Sequence, residues 1–196
     1  MELTGPTLVL RPPVPEDLDA LYELGRDPEV VRWFSWGPYT SRSEPRSYLD
    51  RQAGLQERGE QLDLAVLRDG DLLGITGLSE WVRRDRRATV GSWLAPRTWG
   101  TGVNDEAKAI VLALAFRWCA LQRVTAYADV HNGRSQRALA KVGFRDEGVL
   151  RGFHRHGETQ KDVAISSVLL PEWPATPGHG VPVALRGEVP PAFVLA

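Results

Sequence analysis

The sequence predicts a single mixed α/β (α+β) domain, and three observations carry that expectation. Of 196 residues, 42% are hydrophobic and 25% charged, the composition of a globular domain long enough to bury a real core. Alternating and helical apolar spacings follow one another as strand, two helices, three strands, helix, strand, helix, two strands. Finally, between Trp93 and Leu121 a strand, a proline, a short glycine-bearing turn and a long apolar helix come in direct succession.

Taken in order, Thr7 to Arg11 reads as a short strand, with Leu8 and Leu10 alternating against Val9. Pro15, Glu16 and Asp17 open a helix, since proline suits a first turn and carboxylates its positive end; Leu18, Leu21, Tyr22 and Gly25 form its buried stripe. An aromatic cluster follows, Trp33, Phe34, Trp36 and Tyr39, which either packs as core or lines a substrate slot. Ser41 and Glu44 have capping-box spacing for a helix running to about Gly59. Gln61 to Arg68 and Leu72 to Glu80 read as strands joined by Asp69-Gly70, a two-residue hairpin signal. Arg83, Arg84, Arg86 and Arg87 around Asp85 read as a solvated turn before a strand from Ala88 to Leu94.

The central helix is expected from about Gly102 to Leu121, with Ala107, Ile110, Val111, Leu114, Ala115 and Trp118 at helical spacing. Arg123 to Val130 is a β-branched strand. Asn132 caps a helix over Arg134 to Val142, which Gly143 ends. Two strands follow, near Gly148 to Arg155 and Lys161 to Leu170. The division expected is a body of residues 1–172 and a Pro/Gly-rich extension, 173–196, packed on the body or on a partner subunit; in the latter case it supports a homodimer.

Several classes of function are disfavoured. The net charge of -1 provides no pull toward nucleic acid or a membrane surface. Cys119 is the one cysteine, so an internal disulfide and a cysteine-rich zinc site are excluded. His154 and His156 share a strand face but lack further ligands at metal-site spacing, so no metal is expected. The N-terminus has no signal-peptide pattern and no apolar run is long enough to span a bilayer; a cytoplasmic location is expected.

The turn at Arg97-Thr98-Trp99-Gly100-Thr101-Gly102-Val103-Asn104 has the marks of an anion cradle. The first N–H groups of a helix have no intrahelical partner, the helix dipole favours negative charge there, and glycine admits a phosphate close to the backbone. A dinucleotide fingerprint needs a third glycine where Asp105 stands, and a nucleoside-triphosphate loop needs Gly-Lys-Ser/Thr, which is absent. A plain strand-to-helix turn remains open on spacing alone.

A wider resemblance narrows the ligand. Arg97-x-x-Gly100-x-Gly102 resembles the acyl-coenzyme A signature of the GNAT superfamily of N-acetyltransferases. Val90 to Leu94 is similar to that family's fourth strand, and Asn132-Gly133-Arg134-Ser135-Gln136-Arg137-Ala138-Leu139 with Lys141-Val142-Gly143-Phe144 to its later segment. The arrangement resembles the RimJ/RimL type, ribosomal-protein N-terminal alanine acetyltransferases, over about residues 5 to 172. The resemblance implies a GNAT fold: a mixed, mostly antiparallel sheet of about seven strands, the family's fourth and fifth splayed apart, with flanking helices.

It further implies acetyl-coenzyme A as co-substrate, with its pyrophosphate on the backbone from Trp99 through Gly100, Thr101, Gly102 and Val103 to Asn104, Arg97 alongside, and Asp105 and Glu106 turned away. Trp93 and Leu94 would pair with the pantetheine arm, and an N–H near Leu94 would meet the oxyanion. Asn132 would bond the pantetheine, and Ser135 would protonate the departing thiolate or be a helix-surface serine. Arg137 and Lys141 would reach a phosphate or face solvent. Relatives carry a glutamate where this chain has Thr89; Glu80 is the substitute base, with Asp129 and His131 behind it. The implied reaction is acetylation of an amine-bearing substrate, a ribosomal protein N-terminus being the protein candidate. Acylation of a small-molecule amine and non-catalytic coenzyme A binding are the alternatives.

Overall fold

The protein is described here by a computed structural model covering residues 1–195. Its strands are β1 (Glu2–Thr4), β2 (Val9–Arg11), β3 (Leu62–Arg68), β4 (Asp71–Val82), β5 (Arg87–Leu94), β6 (Arg123–Asp129), β7 (Arg145–His156), β8 (Thr159–Leu169) and β9 (Ala184–Arg186). They form one sheet in the order β7-β8-β6-β5-β4-β3-β2-β1-β9. Neighbours pair antiparallel except β5 and β6, which are parallel. The expected seven strands are therefore nine. The two extra ones, β1 and β9, have three residues each and pair with one another, too short for a period-two signal, and β9 lies among prolines.

Among the described residues five α-helices flank the sheet: α1 (Leu18–Gly25), α2 (Pro28–Val31), α3 (Ser43–Glu57), α4 (Val103–Ala113) and α5 (Gly133–Lys141). Local chemistry accounts for several boundaries. At the β3–β4 turn Asp69 and Gly70 have φ of 53° and 87°, the pair of positive values a type I′ hairpin requires. Glu44 accepts from the Thr40 and Ser41 N–H groups at 2.7 and 2.9 Å at the head of α3, which holds its carboxyl below the usual range. Asn132 Oδ1 caps α5 by accepting from Ser135 N–H at 3.1 Å. The central helix departs from expectation: its α-helical part ends at Ala113 and continues as a π-helical turn from Leu114 to Trp118, closed by Cys119 N–H to Leu114 O at 3.0 Å. Among the described residues, no helix is long and apolar enough to cross a membrane.

Both faces of the central strands are covered, so β3 is buried from Leu62 to Leu67 and shows no alternation in sequence. Leu62, Leu64, Leu78 and Val90 pack against Val103, Ile110 and Val111 of α4. Ala65, Leu67, Ile75 and Trp93 pack against Leu21, Leu24 and Val31 on the opposite face. The chain after Pro171 joins the first layer: Trp173 stacks on Phe116 at 5.3 Å and Phe193, fully buried, on Trp81 at 4.9 Å.

The feature that prepares a site is the parallel pair. β5 and β6 are in register only at Arg87–Arg123, Ala88–Val124 and Thr89–Thr125. Beyond these rows β5 continues to Leu94 and β6 to Asp129 without pairing with each other, so the two strands splay. Because Phe193 is fully buried against Trp81, Phe193→Ala should lower stability by about 3 kcal/mol or more, the cost of emptying a buried aromatic site. Urea unfolding of the full chain measures it; a loss under about 1 kcal/mol would mean that Phe193 is not held in the core.

Candidate active site

A cleft of about 780 Å³ opens at the splay. Its first wall is the turn into α4. Gly100 and Gly102 have φ of 77° and 88°, values that favour glycine, and a Cβ built at either meets nothing within 4 Å. The first helical hydrogen bond is Glu106 N–H to Gly102 O at 3.0 Å. The N–H groups of Val103, Asn104 and Asp105 precede it and so have no acceptor within the helix. An uncrowded, donor-rich turn at a helix N-terminus fits a pyrophosphate.

The second wall is the free edge of β5. Ala95 N–H bonds Leu73 O of β4 at 2.8 Å. Backbone groups alternate sides along a strand, so those of Leu94, Ser92 and Val90 face away from β4, into the splay. The Leu94 carbonyl is occupied there by the Trp99 indole N–H at 3.0 Å, which leaves its N–H as the donor at the mouth of the slot. The extended, amide-bearing pantetheine arm matches such an edge.

The side chains named from the sequence divide. Glu80, Trp93, Leu94, Trp99, Gly100, Gly102, Asn104, Asn132, Ser135, Arg137 and Lys141 all line the cleft, as do Trp33, Phe34 and Trp36. Arg97, expected beside the pyrophosphate, instead donates to Leu72 O at 3.1 Å and is not among the lining residues. Thr101 Oγ1 bonds Thr98 O at 2.7 Å, and the Val103 side chain is core; of these two only the backbone faces the turn. Tyr39 lines a second, adjoining cavity of about 620 Å³ that shares Phe34, Trp36, Gly91, Ser92 and Trp93 with the cleft. Glu106 is turned away, accepting from Thr7 N–H and Leu8 N–H at 2.7 and 2.9 Å. Asp105, expected to do the same, lies in the cleft wall, where an ion pair with Lys141 offsets its charge.

The position of the missing glutamate is filled from the next strand. A register shift in the β4–β5 pairing between Ser79 and Val82 puts Glu80 at φ 50°, and Glu80 Oε2 accepts from Thr89 Oγ1 at 2.8 Å. A carboxylate therefore stands at the last paired row, where the cleft begins. Three cleft residues escaped the sequence reading. The Arg134 guanidinium lies 3.3 Å over the Trp99 ring. Tyr127 of β6, its hydroxyl pKa raised by burial and the nearby Glu80, stacks with Phe153 at 5.0 Å and His154 at 5.5 Å. Lys108 is buried within α4, donates to Ser92 Oγ at 2.9 Å, and burial holds its amine down at about 8. The signal for Lys108 was present: it is the one charged residue between Ala107 and Phe116.

With this geometry in place, comparison with known proteins is informative. Residues 7–145 match the model of the acetyltransferase (GNAT) domain. The uncharacterized N-acetyltransferase YoaA of Bacillus subtilis is 28% identical over 166 residues, 84% of this chain and 94% of that protein. Spermidine N(1)-acetyltransferase of Escherichia coli K12 is 26% identical over 141 residues, 72% of this chain and 74% of its own. The solved Mycobacterium smegmatis RimJ in complex with CoA-disulfide superposes with a TM-score of 0.80 at 24% identity, covering 91% and 90% of the two chains; at that identity it shows the shared fold.

Lys108 makes the cleft's electrostatics measurable. Its folded amine titrates near 8 against an ordinary value of 10.5. Between those values the unfolded chain binds the extra proton, so this lysine's contribution to stability rises with pH through that window. Lys108→Met removes the term. The variant should gain most over the parent below pH 8, and the gap should narrow steadily toward pH 10.5, as read by paired thermal melts; a gap constant across the window would place Lys108 in water.

Proposed function

The chain belongs to the GNAT acetyltransferase family, and from that premise we propose that it acetylates a primary amine with acetyl-coenzyme A, the acceptor being the N-terminal α-amine of a peptide or protein. The observation that carries this reading is the run of β5 beyond Thr89, unpaired at its edge and leading into the cradle at α4.

Acetyl-coenzyme A supplies an activated thioester carbonyl. The chain's part is to place it and to move protons. The N–H groups at the head of α4 hold the pyrophosphate, and the free edge of β5 aligns the arm. Leu94 N–H donates to the carbonyl oxygen as charge builds on it. The amine nitrogen bonds to the carbonyl carbon and the carbon–sulfur bond breaks. Glu80 takes the proton lost by the amine, and Ser135, in the first turn of α5, returns one to the departing sulfur. No metal or covalent enzyme intermediate is required.

Two arguments favour an α-amine. Glu80 is solvent-exposed and engaged by Thr89 Oγ1, so an acceptor that needs little help in losing its proton suits the site. An α-amine, with pKa of about 7.7–8.0, is roughly a tenth neutral at pH 7, whereas a lysine amine near 10.4 is neutral in fewer than about one molecule in a thousand. The resemblance of Asn132 to Phe144 to RimJ/RimL enzymes agrees with a protein acceptor. The spermidine enzyme among the relatives supports the competing small-amine reading.

Gly102→Glu fills and charges the cradle and should abolish acetyl-coenzyme A binding in a calorimetric titration, while Gly102→Ala, whose Cβ points into open space, separates that effect from backbone strain. Retained affinity in the Glu variant would remove the pyrophosphate assignment. Glu80→Gln keeps the Thr89 contact but cannot take a proton; its kcat should fall on the order of a hundredfold with donor affinity unchanged. A normal rate would exclude Glu80 as the base.

A further inference from the structure

The cavity beside the cleft has a feature that the transfer reaction does not explain. Among its lining residues is Asp63, the second residue of β3, nine-tenths buried in a run of leucine, alanine and valine. Tyr48 Oη and Gln61 Nε2 both donate to the same oxygen, Oδ2, each at 2.8 Å. Neither reaches Oδ1. Beside it Gln52, 4% exposed, gives its Nε2 to Tyr48 O at 3.2 Å, which fixes the amide orientation and leaves Oε1 buried without a donor. The cavity is thus lined by a buried carboxyl whose Oδ1 neither donor reaches and by a buried amide oxygen without a donor. Leaving a buried acceptor unsatisfied is costly, and a carboxylate in such a place calls for a cationic donor.

The path from Asp63 to the reaction centre is also cleared. Asp63 pairs with Gly77, and Gly77 with Gly91. Directly paired residues share a face of the sheet, so the row from Asp63 to the free edge of β5 carries no side chain after Asp63 itself. At Gly77 a Cβ would lie 2.6 Å from Asp63 Oδ1; at Gly91 it would meet nothing within 4 Å. Trp36 and Trp93, edge to face at 5.0 Å, wall the row. Glu44, half-buried, and Arg51, exposed, also line this cavity.

We propose that this second cavity is an ammonium subsite: Asp63 Oδ1 and Gln52 Oε1 bind a second cationic nitrogen of the acceptor while its reacting amine lies over Gly91 at the edge of β5. The subsite rests on the N-acetyltransfer reading and narrows its substrate class to amines that carry another ammonium or guanidinium. Two strand spacings of about 4.8 Å, less the reach of the aspartate, set the two nitrogens roughly 6–9 Å apart. A basic side chain near a peptide N-terminus and an extended diamine both present that chemistry.

The test uses the full chain with acetyl-coenzyme A and reads thiol release for matched pairs of acceptors: hexamethylenediamine against hexylamine, and a peptide with lysine second against the same peptide with leucine second. A charged hydrogen-bonded contact predicts roughly a 10- to 100-fold higher kcat/KM for the dicationic member of at least one pair, and the pair that responds identifies the source. Asp63→Asn should bring that ratio close to one by raising KM for the dication, and Gln52→Leu should reduce it in the same way if the aspartate variant does not fold. Equal kcat/KM within both pairs for the parent, or a loss in the variants that falls alike on both members of the responding pair, overturns the subsite. Absence of thiol release with every acceptor, together with absence of acetyl-coenzyme A binding, is instead a failure of the transferase reading.

Discussion

The divergence of one parallel strand pair is the constraint on which the rest depends. β5 and β6 share three rows and then separate, which strips one edge of β5 of its partner in the middle of a nine-stranded sheet. Unsatisfied backbone groups inside a fold are expensive, so such a gap persists only where something else meets them. On the protein's side the Trp99 indole takes the Leu94 carbonyl. The remaining donors face a cleft that ends at the head of α4, where the helix offers further unpaired N–H groups. The slot and the cradle are thus one continuous row of backbone donors, ordered by a single turn from Leu94 to Val103.

Much of this was legible in the sequence, because it depends on local chemistry. Gly100 and Gly102 mark the turn by their backbone angles, Asn132 marks the start of α5 by its cap, and Asp69-Gly70 marks a hairpin. What escaped depends on contacts between distant residues. β1 and β9 exist because the two ends of the chain find each other, and three residues carry too little period to announce that. Arg97 belongs to a recognisable motif, yet its guanidinium bonds a β4 carbonyl; a motif preserves a spacing, while the direction of a long side chain is settled by the nearest unsatisfied acceptor.

Glu80 is the more instructive case. The strand position where a carboxylate was expected holds Thr89, and the sequence left only neighbours to choose from. The register shift between Ser79 and Val82 turns Glu80 onto Thr89, so the carboxylate returns to the same place from the adjacent strand. A bulge can redirect a side chain that simple alternation would put on the other face. Asp63 and Lys108 carried a cruder signal, a charge inside an apolar run. That pattern says that a buried partner exists without saying which.

The two faces of β4 and β5 then hold different work. Ser92, Thr76 and Lys108 form a hydrogen-bonded chain on the face covered by α4, beneath the donor's slot. Gly77, Gly91 and Asp63 lie on the face covered by α1 to α3, the side on which we place the acceptor. A direct transfer requires the two reactants to meet at the strand edge from opposite sides, and only an uncovered edge permits it. Glycine in a strand interior costs roughly 0.5–1 kcal/mol relative to alanine and returns no packing. Two glycines opposite one another in paired strands inside the sheet are therefore hard to account for by stability. They are easily accounted for by clearance, since any side chain on Gly77 would collide with Asp63 Oδ1 and one on Gly91 would stand in the path between the two cavities.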